Sequence, residues 1–302
     1  DWTLPNHRWR WVVDEEENTI EPRDEEVEDE DDLQAYLDWL AEHQDDEAQS
    51  SEEQPQELDM KDRTIVLTKY YYLPENVYVN FYNVTFQFKA WPTIVDAFGQ
   101  KQDADYLFSV PPTSTVRWEN VVIDLSDASY YNVSLDGKLL DDYHMRRLFY
   151  VYGNLFLGSG CHVKGWIDHD VTMTNIYIPG AWINLTAQSH FYLSGGWLED
   201  VVLRLVNNTV FVTQPIVKPV HIWLDTTKLV ENNRLIGSYG GYRLTVNDLA
   251  NIVFHYAEGE WDFVIDDDGY IVVEKKKEKG DANGDYVVNE ADIALVADQL
   301  SG

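Results

Sequence analysis

The sequence predicts an all-β chain of the parallel β-solenoid kind, preceded by an acidic extension and followed by a loop–helix calcium segment. Three observations predict it. Between Thr64 and Lys275 the chain is a succession of short runs of β-branched and aromatic residues, bounded by Asn, Asp, Gly or Pro. No long helical pattern interleaves with them, which leaves sandwich, barrel, propeller or solenoid. Two of the runs also resemble each other, and imperfect repetition of short strands and tight corners suits a coil of stacked rungs.

The acidic extension comes first. The chain of 302 residues carries a formal net charge of −32. From Asp14 to Asp59 there are about 22 acidic residues against one basic residue, Arg23. Such a balance argues against nucleic acid, whose phosphates need clustered Lys and Arg, and against anionic membrane surfaces. Residues 1–13 differ in character from the acidic run after them. Trp9 and Trp11 alternate with Arg8 and Arg10, the pattern of a strand with one apolar face. That strand either packs on its own domain or pairs with a neighbouring molecule. The acidic run 14–32 is expected to be solvated and mobile by composition. Leu33, Tyr36, Leu37 and Leu40 then fall at i, i+3, i+4 and i+7, with Asp31 and Asp32 at the start. The spacing predicts a short amphipathic helix over 32–43 that covers an end or side of the β domain.

Apolar residues make up 44% of the chain and aromatics 14%, ample for a packed core. The segments expected are 1–61 as the acidic extension, 62–258 as the solenoid, 259–275 as a capping hairpin and 276–302 as the calcium segment. Within the solenoid, Leu155-Phe-Leu-Gly-Ser-Gly-Cys-His-Val-Lys-Gly matches Phe191-Tyr-Leu-Ser-Gly-Gly-Trp-Leu-Glu-Asp-Val, the later half only with a one-residue slip. Rungs of roughly 20–25 residues are expected, near the lower end of repeat lengths. The hairpin is read from Trp261 to Glu274, with its turn at Asp267-Asp268-Gly269.

The stretch 148–165 and the motif Phe191-Tyr-Leu-Ser-Gly-Gly resemble rungs of adhesin-like right-handed parallel β-helix proteins of bacterial surfaces. The resemblance covers residues 64–257 as texture. It implies a secreted, extracellular structural or adhesive role at a cell surface, including self-assembly into filaments or surface layers. Its partners would be other copies, a surface or scaffold protein, and glycans. Some β-helix relatives are polysaccharide lyases and hydrolases. The alternative is therefore a carbohydrate-active enzyme or binding module.

Gly280-Asp-Ala-Asn-Gly-Asp-Tyr-Val-Val-Asn-Glu-Ala-Asp is the most specific motif. Asp281, Asn283 and Asp285 take positions 1, 3 and 5 of an EF-hand-type loop. Val287 offers its carbonyl at 7, Asn289 stands at 9 and Asp292 at 12. Calcium is a hard cation that takes six to eight oxygens, and alternating side chains of a tight loop converge to provide them. Ile293, Val296 and Leu300 suit a following helix. The segment resembles one repeat of a type I dockerin, with two departures: Tyr286 replaces the usual Gly at position 6, and a second repeat is missing from the sequence. The resemblance implies Ca2+ as cofactor and a scaffold protein as partner.

Catalytic residues are not expected. The best cluster is Asp168-His169-Asp170, with Asp141, Asp142 and His144 as neighbours. Polygalacturonase-like enzymes add a Gly-His-Gly and an Arg-x-Lys, and neither stands here. These residues are read as solvated turns. Cys161, the single cysteine, is read as a buried small hydrophobe. Glycosylation sequons begin at Asn83, Asn132, Asn184 and Asn207. No apolar run reaches the length of a membrane span. The first residue is Asp1 rather than Met, so a processed chain is expected.

Overall fold

The computed structural model describes residues 11–14, 19–22, 27–42, 55–128, 146–166, 180–186, 188–205, 208–224, 229–255, 261–276, 280–282 and 288–301. The protein is mostly β-structure organised in parallel sheets, solenoid-like in its strand order. One sheet has seven strands, each pair parallel. The other has eleven strands, parallel over most of its extent. Successive strands alternate between the two. Arg146–Val151 lies in the first sheet, Asn154–Leu157 and His162–Lys164 in the second, Ala181–Leu185 in the first again and His190–Leu193 in the second.

The matched segments stack on each other. Leu155, Phe156 and Leu157 pair with Phe191, Tyr192 and Leu193. His162, Val163 and Lys164 pair with Trp197, Leu198 and Glu199. The one-residue slip between the repeats is thus absorbed at the glycine-rich corner between the two strands. Leu155, Leu157 and Phe191 are inaccessible or nearly so, while Phe156 and Tyr192 face outward.

Rung length is close to the expected 20–25 residues only in later coils, where Ala181 pairs with Val201, and is longer before them. Stacked partners lie 37 residues apart at Asn83 and Asn120, 39 at Thr115 and Asn154, 36 at Asn154 and His190, and 19 at Ser189 and Asn208. Added elements lengthen the early coils. An antiparallel hairpin, Thr93–Val95 with Lys101–Asp103, stands between Tyr78–Phe88 and Tyr106–Val110. Strand alternation constrains which residues point inward, not how much chain is spent between sheets.

The core lies between the two sheets. Early coils fill it with aromatics: Trp118 meets Phe108 edge-on at 5.3 Å and Phe149 at 5.1 Å, and Phe108 stacks on Phe149 at 5.2 Å. Later coils fill it with Ile183, Leu203, Ile222 and Val210. Apolar area buried here contributes about 25 cal/mol per Å². Corners repeat as well. Asn83 and Asn120 both take left-handed backbone, φ 54° and 53°. The Asn120 amide donates to Asn83 Oδ1 at 2.7 Å, and the Asn83 amide donates to Asp59 Oδ1 at 2.9 Å. A short polar side chain tolerates this conformation, and stacking the two on Asp59 gives each amide an acceptor in the preceding coil.

At the front edge, strand Gln56–Leu67 pairs on one side only among the described residues. It starts well before the texture change at Thr64, with Leu58 and Met60 buried. Helix Glu30–Glu42 adds Leu33, Tyr36, Leu37, Trp39 and Leu40 to the common core. Trp11–Asp14 pairs antiparallel with Thr19–Pro22, so part of the acidic stretch read as mobile is a hairpin here. Val12, Val13 and Ile20 give it β propensity against the local charge. At the far edge, Trp261–Ile265 and Ile271–Lys275 form an antiparallel hairpin, and the latter strand pairs antiparallel with Arg234–Ser238. No described helix is long and apolar enough to cross a membrane.

Candidate functional site

Four places gather candidate functional side chains: the outer faces of the seven-stranded and eleven-stranded sheets, a cavity at a corner of the later coils, and the C-terminal loop–helix.

Alternation along each strand turns every second side chain of the seven-stranded sheet outward. One row runs Tyr106, Arg147, Trp182, Val202, His221 and Val253, each the pairing partner of the next. The neighbouring row runs Tyr72, Ser109, Tyr150, Asn184, Arg204, Trp223 and His255. Small residues sit under large ones: Ser109 and Val202 are covered by their neighbours although they point outward. The Arg204 guanidinium lies 4.6 Å from the Trp182 ring centroid and that of Arg147 5.9 Å, so residues from the coils before and after hold one indole. Arg147 also lies over Tyr150 at 5.4 Å. Tyr70 meets Tyr106 edge-on at 5.8 Å, and Tyr150 meets Tyr152 at 4.5 Å. His221 Nδ1 and His255 Nε2 are 2.9 Å apart, and His255 stacks on Trp223. Burial holds both imidazoles below their ordinary value. Asp200 opposes this at His221, and His221 reinforces it at His255.

The eleven-stranded sheet carries its own outward column. Phe156 and Tyr192 stack at 3.9 Å with planes 2° apart, Tyr192 continues to Phe211 at 5.3 Å, and Arg117 caps Phe156 at 4.3 Å. Gly237 occupies the next position of that column, where an added Cβ would meet the Tyr270 ring at 2.6 Å. Beside it, Asn154 links Thr115 and His190 by hydrogen bonds of 3.0 Å each.

The cavity has a volume of about 270 Å³ and is walled by Cys161, His162, Gly195, Trp197, Gln214 and Lys218 among others. His162 Nε2 lies 2.7 Å from Glu199 Oε2. The His162 ring stacks on Trp197 at 3.9 Å, and Lys218 Nζ stands 3.2 Å from the Trp197 centroid. His162 belongs to the coil before Trp197 and Lys218 to the stretch after it, so the indole is held from both sides. Burial holds His162 below its ordinary value; Glu199 opposes that, and Lys164 and Lys218 add to it. The 2.7 Å pair could shuttle a proton, yet its partners already engage one another. Asp248 fixes the far wall: it accepts the Ile216 N–H at 2.8 Å and the Tyr242 and Thr245 hydroxyls at 2.7 Å. Cys161 is buried with its Sγ 2.9 Å from the Trp118 carbonyl, and burial pushes the thiol up to about 11.

Of the expected calcium ligands, Asp281, Asn289 and Asp292 are described, while Asn283, Asp285 and Val287 lie outside the described residues. Asp281 and Asp292 are both buried. Asp292 accepts the Ala282 N–H on Oδ1 at 2.7 Å and the Asn289 N–H on Oδ2 at 2.8 Å, tying the two ends of the loop together. Asn289 accepts the Ala291 N–H at 2.7 Å ahead of helix Glu290–Ser301. Carboxylate and amide oxygens at the two loop ends are the donor type that a hard divalent cation takes. Among the described residues alone, no group of three metal-ligating side chains is present. The helix leaves Ile293, Val296 and Leu300 exposed.

Asp168, His169, Asp170, Asp141, Asp142 and His144 lie outside the described residues, as do the sequons at Asn132 and Asn207. Asn83 stands in the corner ladder and Asn184 on the outer row. Sequence reasoning missed the Arg147–Trp182–Arg204 stack and the His162–Glu199 pair. Neighbouring members are 22 to 37 residues apart and meet only through coil register. Comparison with protein-family models, characterised proteins and solved structures gives no match to this chain.

Proposed function

We propose that the protein is a non-enzymatic, extracellular structural and adhesive protein of a bacterial cell surface, built on a right-handed parallel β-helix. The observation that carries this reading is the pair of outward aromatic rows, held in register from coil to coil on both sheets. Tyr, Trp and Arg are the side chains enriched at recognition surfaces, and a rigid sheet holds them without an ordering cost at binding. Calcium, held by Asp281, Asn283, Asp285, the Val287 carbonyl, Asn289 and Asp292, stabilises the C-terminus. The exposed Ile293, Val296 and Leu300 of the last helix then offer an apolar stripe to another copy or a surface scaffold.

The second reading is a carbohydrate-active enzyme or binding module anchored through its dockerin-like tail, favoured by the His162–Glu199 pair beside a cavity. Incubation with pectins, xylans and host glycans, scored both for bound protein and for released reducing ends or unsaturated products, separates them. Binding without turnover supports the adhesive reading. Turnover abolished by His162→Ala or Glu199→Ala overturns it.

A further inference from the structure

We infer that the outer face of the seven-stranded sheet is the adhesive surface, and that it takes a linear polysaccharide bearing uronate carboxylates. The inference rests on the adhesive reading and gives it a place and a ligand class.

Charge distribution is the first support. The chain carries 54 acidic residues against 22 basic ones. Yet neither outward row of this sheet contains an Asp or Glu, whereas its middle holds the two guanidiniums of Arg147 and Arg204; the carboxylates that act on the rows, Glu75 at Tyr72 and Asp200 at His221, stand toward the two ends. Among the described residues, no carboxylate lies within ion-pair distance of Arg147 or Arg204. Both guanidiniums instead rest over Trp182. Stacking fixes the plane of a guanidinium and leaves its N–H edge free for an oxyanion, which it matches in bidentate fashion. The acidic leader is not an obstacle at physiological salt, since screening acts over about 8 Å.

Shape is the second support. The face spans seven strands, roughly 30 Å along the coil axis at about 4.8 Å per strand, with Tyr70 and Tyr72 exposed at one end and Trp223 at the other. That suits an extended polymer better than a small molecule. A peptide would gain its main affinity by adding a strand at a sheet edge, and the middle of a sheet face offers no such edge. Flat aromatic rings with polar rims instead suit the C–H faces and hydroxyls of sugar rings, and Asn184 in the same row adds hydrogen-bonding groups. The Trp182 indole N–H is buried without an acceptor among the described residues, so a further polar donor lies just beneath the two guanidiniums.

The test uses the intact chain against immobilised polygalacturonate, dextran sulfate and neutral dextran. Binding is read by interferometry and folding by thermal melting. Polygalacturonate should bind best. The double variant Arg147→Gln/Arg204→Gln should raise its Kd at least tenfold, and Arg117→Gln on the other sheet should change it less than twofold. Arg204→Lys, which keeps the charge and the fold, should weaken binding by an intermediate factor because the fork is lost. An unchanged Kd in the folded double variant overturns the inference and leaves the adhesive reading standing. Equal retention on dextran, or on dextran sulfate, overturns the carboxylate assignment. No binding to any of the three overturns the inference too, and the adhesive reading falls with it only if the chain also fails to adhere to whole cells.

Discussion

Glu30 accepts the phenolic proton of Tyr71 at 2.7 Å, across 41 residues of chain. The same carboxylate accepts the Thr68 N–H and hydroxyl, each at 2.7 Å, and the Lys69 N–H at 3.0 Å. A residue of the acidic leader thereby anchors the helix to the chain just after strand Gln56–Leu67, beside the front edge.

Removing that anchor tests its weight. Glu30→Ala should cost about 2–4 kcal/mol, from several charge-assisted hydrogen bonds discounted for partial exposure. Burial alone would raise the Glu30 pKa, but the bonds from Thr68, Tyr71 and Lys69 together hold it below the usual value of 4.5. A depressed carboxylate stabilises fully above its unfolded value and loses that contribution as pH falls through the folded one. Denaturant titrations should therefore show the wild-type advantage over Glu30→Gln shrinking below about pH 4.5. A constant difference down to about pH 2 would contradict it.

The His221–His255 pair gives a second pH window. Both imidazoles are held below 6.5, so the unfolded chain binds more protons than the folded one just under that value. Stability is full above about pH 6.5 and falls as pH drops toward the folded values. Replacing both by Asn should flatten the melting temperature between about pH 7 and 5. Asp200 and Trp223 are among the groups that face the pair. A slope unaltered by the substitution would assign it elsewhere.

Close stacking of coils makes a third prediction. A Cβ at Gly153 would overlap the backbone carbonyl oxygens of Pro111 and Ser114 in the preceding coil. Backbone atoms cannot step aside as a flexible side chain can. Gly153→Ala should cost about 3 kcal/mol or more, the upper range for overpacking. A chemical-denaturation midpoint equal to wild type would mean the coils are looser than described.

Calcium makes the fourth. Titration calorimetry on the intact chain should give one binding event, lost in Asp285→Ala and in Asp292→Ala. At about 100 times Kd the ion adds about 2.7 kcal/mol to the stability of the loop–helix segment. Absence of calcium-dependent heat, with unchanged helix content, would remove calcium from the account.

Distance along the chain decides how much of this was legible in the sequence. The tie between the ends of the 281–292 loop is local, so the Asp and Asn spacing that makes it is open to sequence reading, while Asn283, Asp285 and Val287 lie outside the described residues. The stacking of 155–164 on 191–199 left a visible trace, slip included, because inward positions must be apolar in every coil. Assignment of strands to one sheet or the other left none, since Phe149 and Leu155 obey the same inward rule on different sheets. The columns Arg147–Trp182–Arg204 and His162–Trp197–Lys218 were hidden by variable coil length, which a sequence alone does not index. The Glu30 anchor was hidden because a mostly solvated acidic run gives no sign of which carboxylate is engaged.

The most direct test of the account is coil register, on which the outward rows and everything proposed for them depend. In a Cys161→Ala background, Phe156→Cys/Tyr192→Cys places thiols on paired outward positions of neighbouring strands. Their Cα atoms should be about 5 Å apart, within disulfide range. Phe156→Cys/Phe191→Cys places them on opposite faces. Mass spectrometry after mild oxidation of the folded chain should find the 156–192 disulfide formed and the 156–191 disulfide absent. Equal yields, or a disulfide only between 156 and 191, would contradict the register and the surface built on it.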